Sequence, residues 1–238
     1  MIKKIFKFIG LTLLTLIISF LIWFKFIYTE YDEFKNVTFF EHRKHISTDG
    51  PYIIYKNDSL HFIRVEKQED DFKVISKKMP DKKLDHEIIV STYNYDKPFE
   101  YSFELELKDT LKNPQSEYIT HGDIFAVSDI EGNFYAFQKL LKSAEIIDDN
   151  FNWNFEDNHL VLTGDFVDRG LNVTQCLWLI YKLENQAKKQ GGLVHFINGN
   201  HEIMNLSGKV YHVRSKYKLL ASELGLNYST DLIGKDSE

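Results

Sequence analysis

The chain is poor in the residues that build cross-linked or repetitive scaffolds: its 238 residues include 1 cysteine, 4 prolines and 12 glycines. The lone Cys176 excludes an intramolecular disulfide and a cysteine-rich zinc site. So little proline and glycine excludes collagen-like repeats and low-complexity scaffolds. A basic excess is also missing. With 29 Lys and Arg against 35 Asp and Glu, the net charge is −6, and no nucleic-acid partner is expected. What is present is apolar: 43% of the residues are hydrophobic and 15% aromatic, ample for a packed core. The length suits one large domain or two small ones.

The charge is unevenly divided. Lys3, Lys4, Lys7 and Lys25 are the only charged residues of positions 1–28, whereas the remaining 210 residues carry 25 cationic and 35 anionic side chains. Phe8 to Phe24 is an uncharged run of 17 residues, and a helix of that length approaches the roughly 30 Å hydrocarbon core of a bilayer. Lys25 can snorkel, and Trp23 and Tyr28 suit the interface. A cleaved signal peptide is the rival reading, but the run exceeds the usual stretch of about 7–15 residues and Ile22–Ile27 offers no small-residue cleavage site. A buried soluble helix is a third. The expectation is a transmembrane signal anchor over residues 1–28. The lysine bias places its N-terminus in the cytoplasm and the rest of the chain on the extracytoplasmic, periplasmic side.

Residues 29–117 read as a β-rich accessory region. Tyr101, Phe103, Leu105 and Leu107 alternate with Glu100, Ser102, Glu104, Glu106 and Lys108, giving a strand one apolar and one polar face. Tyr52–Tyr55, Leu60–Val65, Phe72–Ile75 and Glu87–Thr92 are further strand candidates, with a turn at Lys56–Ser59. One small antiparallel sheet is the economical reading. His42, His45, His61 and His86 are scattered without metal-ligand spacing.

After Tyr118 the pattern changes. Ile124–Val127, Leu160–Leu162 and Leu193–Ile197 are short apolar runs, as expected of parallel strands buried on both faces. Between them Phe134, Phe137, Leu140 and Leu141, then Val173, Cys176, Leu177, Ile180 and Leu183, recur at helical spacing. The order β-α-β-α-β follows. Each strand runs into polar residues: Asp129-Ile130-Glu131-Gly132-Asn133, then Gly164-Asp165-Phe166-Val167-Asp168-Arg169-Gly170, then Gly199-Asn200-His201-Glu202. Right-handed crossovers bring the three loops to one edge of the sheet, where α/β sheets hold ligands. A single Asp after a strand is often only the cap of the next helix. Three in order point to oxygen donors that would repel one another without a divalent cation between them.

These residues resemble the signatures of the calcineurin-like metallophosphoesterases, in the branch of the phosphoprotein phosphatases. The stretch Gln186-Ala187-Lys188-Lys189-Gln190-Gly191-Gly192-Leu193-Val194-His195, leading into Gly199-Asn200-His201-Glu202-Ile203-Met204-Asn205, is most similar to bacterial Shewanella-like phosphatases. The resemblance covers about residues 123–213. It implies two divalent metals, Asp129 binding the first, Asp165 bridging and Asn200 binding the second, with Mn²⁺ favoured over Fe, Zn or Mg. It implies His201 as the acid for the leaving group, Asp168 orienting it, and Arg169 holding phosphate oxygens.

Glu131 stands where the family has histidine. It is expected to ligate through oxygen, favouring hard ions, or else to cap the following helix. The histidines that the family supplies from a second half of the sheet are not found before Glu238, so residues 118–238 are expected to be the N-terminal part of a metallophosphoesterase domain. The fold class expected is α/β, α+β overall: a partial metallophosphoesterase sheet preceded by a small antiparallel region and a transmembrane helix. The expected function is a membrane-anchored phosphomonoesterase acting on phosphoprotein or small phosphoesters, with metal-bridged hydroxide as nucleophile. The alternatives are a noncatalytic envelope module and a hydrolase of nucleotide or dinucleotide polyphosphates.

Overall fold

Alternation of apolar and polar side chains puts β-structure at the start of the described residues. A computed structural model describes residues 48–56, 59–67, 72–79, 88–93, 98–108 and 114–233. Strands β1 (Asp49–Lys56), β2 (Ser59–Lys67) and β3 (Phe72–Met79) pair antiparallel in that order. Strands β4 (Ile88–Tyr93) and β5 (Pro98–Leu105) form a second antiparallel sheet of their own. The expected single sheet is therefore two, because period-two patterning marks strands without saying which of them pair. The apolar stretch before Tyr28 lies outside the described residues, and among those described no helix is long and apolar enough to cross a membrane.

The β-α-β-α-β order is present as expected. Strands β6 (Ile124–Val127), β7 (His159–Leu162) and β8 (Leu193–Phe196) are parallel neighbours in chain order. Helices α1 (Phe134–Ser143) and α2 (Val173–Lys189) connect them. Asn133 caps α1 by accepting from the Ala136 N–H at 3.1 Å, and Lys188 and Lys189 sit in the last turn of α2, where cations suit the helix dipole. Two more helices follow, α3 (Asn200–Leu206) and α4 (Ser215–Glu223), then a π-helical turn at Tyr228–Leu232.

Register decides which side chains meet the helices. Phe125, Leu160 and Val194 share one row and Val127, Leu162 and Phe196 the next. They pack with Phe137 and Leu141 of α1 and Cys176, Leu179 and Leu183 of α2 in one core. The β4–β5 hairpin belongs to that core too, through Ile88, Val90, Phe103 and Leu105, and the Phe103 ring stacks on Phe134 with centroids 6.0 Å apart. The opposite sheet face carries Ile124, His159 and Leu193, then Ala126, Val161 and His195. Ile124 is 59% exposed and Ile197 51%. Strands buried on both faces were expected, whereas here α1 and α2 cover one face only.

On the open face His195 Nε2 lies 3.1 Å from His159 Nδ1, with Tyr118 edge-on to the His195 ring. Burial, and then the neighbouring His159, hold the His195 imidazole below its ordinary value. Between that lowered value and about 6.5, the unfolded chain binds a proton that the folded chain does not, so stability falls as pH drops through this window. His195→Gln keeps a hydrogen-bonding group opposite His159. Its melting temperature is expected to fall less than that of the parent chain between about pH 7.5 and about pH 5.5.

A buried polar network joins β1 to the helices. Asp49 and Lys216, 1% and 3% exposed, form an ion pair at 3.3 Å. The Asp49 carboxylate also accepts from Tyr52 Oη at 2.7 Å and Gln175 Nε2 at 3.0 Å, while Lys216 Nζ donates to the Leu171 carbonyl at 2.6 Å. Burial pulls the Lys216 ammonium below its usual range, against the opposing pull of Asp49. Removing one member leaves the other charge stranded in an apolar interior. Lys216→Met is expected to cost about 3–5 kcal/mol in urea unfolding, and the double variant Asp49→Asn/Lys216→Met to recover most of it.

Candidate functional site

The first two strand-end loops are held together by backbone before any side chain is considered. Asp129 N–H donates to the Gly164 carbonyl at 3.1 Å, Glu131 N–H to that of Asp165 at 2.9 Å, and Gly132 N–H to that of Phe166 at 2.9 Å. A Cβ on Gly164, where φ is +97°, would lie 2.2 Å from the Gly199 nitrogen, so only glycine lets the second and third loops approach this closely.

Asp129, Glu131, Asp165, Asp168 and Arg169 all adopt positive φ, between 47° and 72°. Such backbone costs on the order of 1–3 kcal/mol per residue and clusters at functional sites. It points these side chains into turns that an extended strand end could not make.

Within these loops His201 and Asp168 are brought together, Nδ1 to Oδ2 at 2.8 Å, both buried. Asn205 Nδ2 fixes the other Asp168 oxygen at 2.9 Å and the His201 carbonyl at 2.9 Å. Burial, then the charge of Asp168, push the Tyr228 hydroxyl up to about 12, and that hydroxyl donates to Asn205 Oδ1 at 3.4 Å. With Nδ1 engaged, His201 is left with Nε2 facing Glu131 Oε1 at 3.8 Å.

Glu131, expected among the metal ligands, pairs directly with the Arg169 guanidinium. Asp129 lines the same cleft, of about 540 Å³, as Glu131 and Arg169, and its carboxylate accepts from the adjacent Ser128 hydroxyl at 2.5 Å. Asp165 Oδ1 accepts from the His201 N–H at 2.8 Å.

The Asn200 side chain meets Asp165, its amide N–H₂ donating to Asp165 Oδ2 at 3.1 Å and its amide oxygen accepting from the His201 N–H at 3.3 Å. Among the described residues no group of three or more His, Cys, Asp or Glu side chains is placed to hold a metal ion. Hard divalent ions of the Mg²⁺ type are nevertheless held by one or two carboxylates, with amide oxygens and water filling the shell. In chemistry the donors Asp129, Asp165 and Asn200 fit such an ion.

Sequence reasoning missed Glu202. Its carboxylate accepts four backbone N–H groups, from Asp165 at 2.7 Å, Phe166 at 2.8 Å, Val167 at 3.1 Å and Gly199 at 2.9 Å. It also missed Asn205. The signal for Glu202 was its place three residues after Gly199, the capping-box position, in a helix that begins at the site.

Residues 122–236 match the family model of the calcineurin-like phosphoesterases. The chain is also similar to Shewanella-like protein phosphatases. It is 33% identical to protein phosphatase 2 of that type from Arabidopsis thaliana over 93 residues, 39% of this chain and 24% of the relative. It is 34% identical to Shewanella-like protein phosphatase 1 from Plasmodium berghei (strain Anka) over 111 residues, 47% of this chain and 31% of the relative. The crystal structure of a cold-active protein-tyrosine phosphatase from a psychrophilic Shewanella species superposes with a TM-score of 0.63 at 29% identity, covering 80% of this chain and 54% of that one. The chain thus spans about a quarter to a third of these curated relatives, at 24% and 31% of their lengths.

The Glu202 pin is testable apart from activity. Glu202→Gln turns an N–H₂ group toward backbone donors and removes a charge that strengthens each bond. It is expected to lower stability by about 2–4 kcal/mol in chemical denaturation.

Proposed function

We propose that this chain is a membrane-anchored, metal-dependent phosphomonoesterase acting on phosphorylated protein. The observation that carries the reading is the buried His201–Asp168 couple, with Asp165 bound to the His201 N–H and Arg169 on the same loop as Asp168. Metal use is general among calcineurin-like phosphoesterases, and the all-oxygen donor set Asp129, Asp165 and Asn200 favours Mn²⁺ or Mg²⁺ over softer ions. A bound divalent ion supplies an activated water nucleophile at neutral pH and neutralises charge on the phosphoryl oxygens.

The chain's own residues do the rest. Arg169 presents a planar pair of donors that matches two phosphoryl oxygens. Asp168, fixed by Asn205, holds His201 through Nδ1, so that Nε2 can deliver a proton to the leaving alkoxide. The relatives named as protein phosphatases, and the tyrosine phosphatase among the structures, support a phosphoprotein substrate. The uncharged run before Tyr28 supports an anchor, with the catalytic segment extracytoplasmic.

The full chain with Mn²⁺ is expected to hydrolyse p-nitrophenyl phosphate and to lose that activity on chelation. Asp165→Asn and His201→Ala should each lower the rate by about 10²–10⁴-fold. A rate indifferent to both substitutions would refute the proposal.

A further inference from the structure

Resting on the reading of Arg169 as the phosphate-holding group, we infer that Glu131 is a resident competitor for that group and sets how tightly the site holds a phosphoryl anion. The Glu131 carboxylate sits between the two groups that a bound phosphate would need. One oxygen pairs with the Arg169 guanidinium and lies 3.8 Å from His201 Nε2. A carboxylate offers a guanidinium the same paired oxygens as a phosphate, so the two are alternatives at one fork.

Burial gives the pair a direction. The Glu131 side chain is 20% exposed and that of Arg169 is 53% exposed. The guanidinium therefore opens to the cleft, while the carboxylate lies behind it. The Glu131 backbone is tied down by its N–H bond to the Asp165 carbonyl at 2.9 Å. An arriving phosphate consequently displaces the carboxylate by side-chain rotation, without opening the loop. If the pair is closed about nine-tenths of the time, phosphate meets a free guanidinium about one time in ten, and its apparent affinity is about tenfold weaker than intrinsic.

Titration calorimetry of the full chain with inorganic phosphate, and separately with Mn²⁺, tests this. Glu131→Gln is expected to bind phosphate about tenfold more tightly than the parent. Glu131→Asn, whose side chain tolerates the left-handed backbone there, should behave alike and guards against a folding defect in either variant. Arg169→Ala should abolish the gain, and Mn²⁺ affinity should stay within about twofold in both Glu131 variants.

Equal or weaker phosphate binding in both Glu131 variants, with Arg169→Ala still weakening the parent, overturns the competitor role and leaves the phosphatase reading standing. An Arg169→Ala chain that binds phosphate as the parent does overturns the assignment of Arg169, and with it the basis of this inference. Mn²⁺ binding weakened about tenfold or more in the Glu131 variants also overturns it, because Glu131 then belongs to the metal.

Discussion

One carboxylate organises the site without lining the cleft itself. Glu202 gathers backbone N–H groups from the second loop and from Gly199 in the third, so two strand ends share one anchor. Each bond is charge-assisted, and the group is only 6% exposed, where such bonds are poorly screened by water. The positions of Asp165 and His201 follow from it. The N–H of Asp165 is bound to Glu202, its Oδ1 takes the His201 N–H, and His201 in turn meets Asp168. Preorganisation here is a chain of hydrogen bonds that begins at a buried carboxylate.

That anchoring accounts for the tolerance of strained backbone nearby. Left-handed φ is unusual for Glu131 and Arg169, which lack the short side chains that ease it. It persists because inter-loop hydrogen bonds over-determine the conformation, the Arg169 N–H for instance donating to the His212 carbonyl at 3.1 Å. Gly164 contributes by having no side chain where two backbones touch.

The sequence was informative where chemistry and periodicity are local. The alternation through Tyr101, Phe103 and Leu105 marked β5, and helical spacing from Phe134 to Leu141 marked α1. The three strand ends were legible because their polar residues follow apolar runs at near-equal intervals. Pairing was not, since nothing in the alternation separates β3 from β4. Nor was the network around Asp49, whose partners Gln175 and Lys216 are far along the chain and ordinary in isolation. Glu131 shows a third kind of limit. Its type suggested a metal ligand, and its pairing with the Arg169 guanidinium is visible only in space.

The stacking of Phe103 on Phe134 makes the β4–β5 hairpin inseparable from the loops it backs. Phe134 opens the helix that follows Asn133, directly after the first acidic loop. Cutting the hairpin away would strip the cover from that ring and leave a greasy scar beside the candidate site, prone to clump with its own kind. Through Thr92 and Tyr101 the hairpin is, in material terms, the back wall of the cleft.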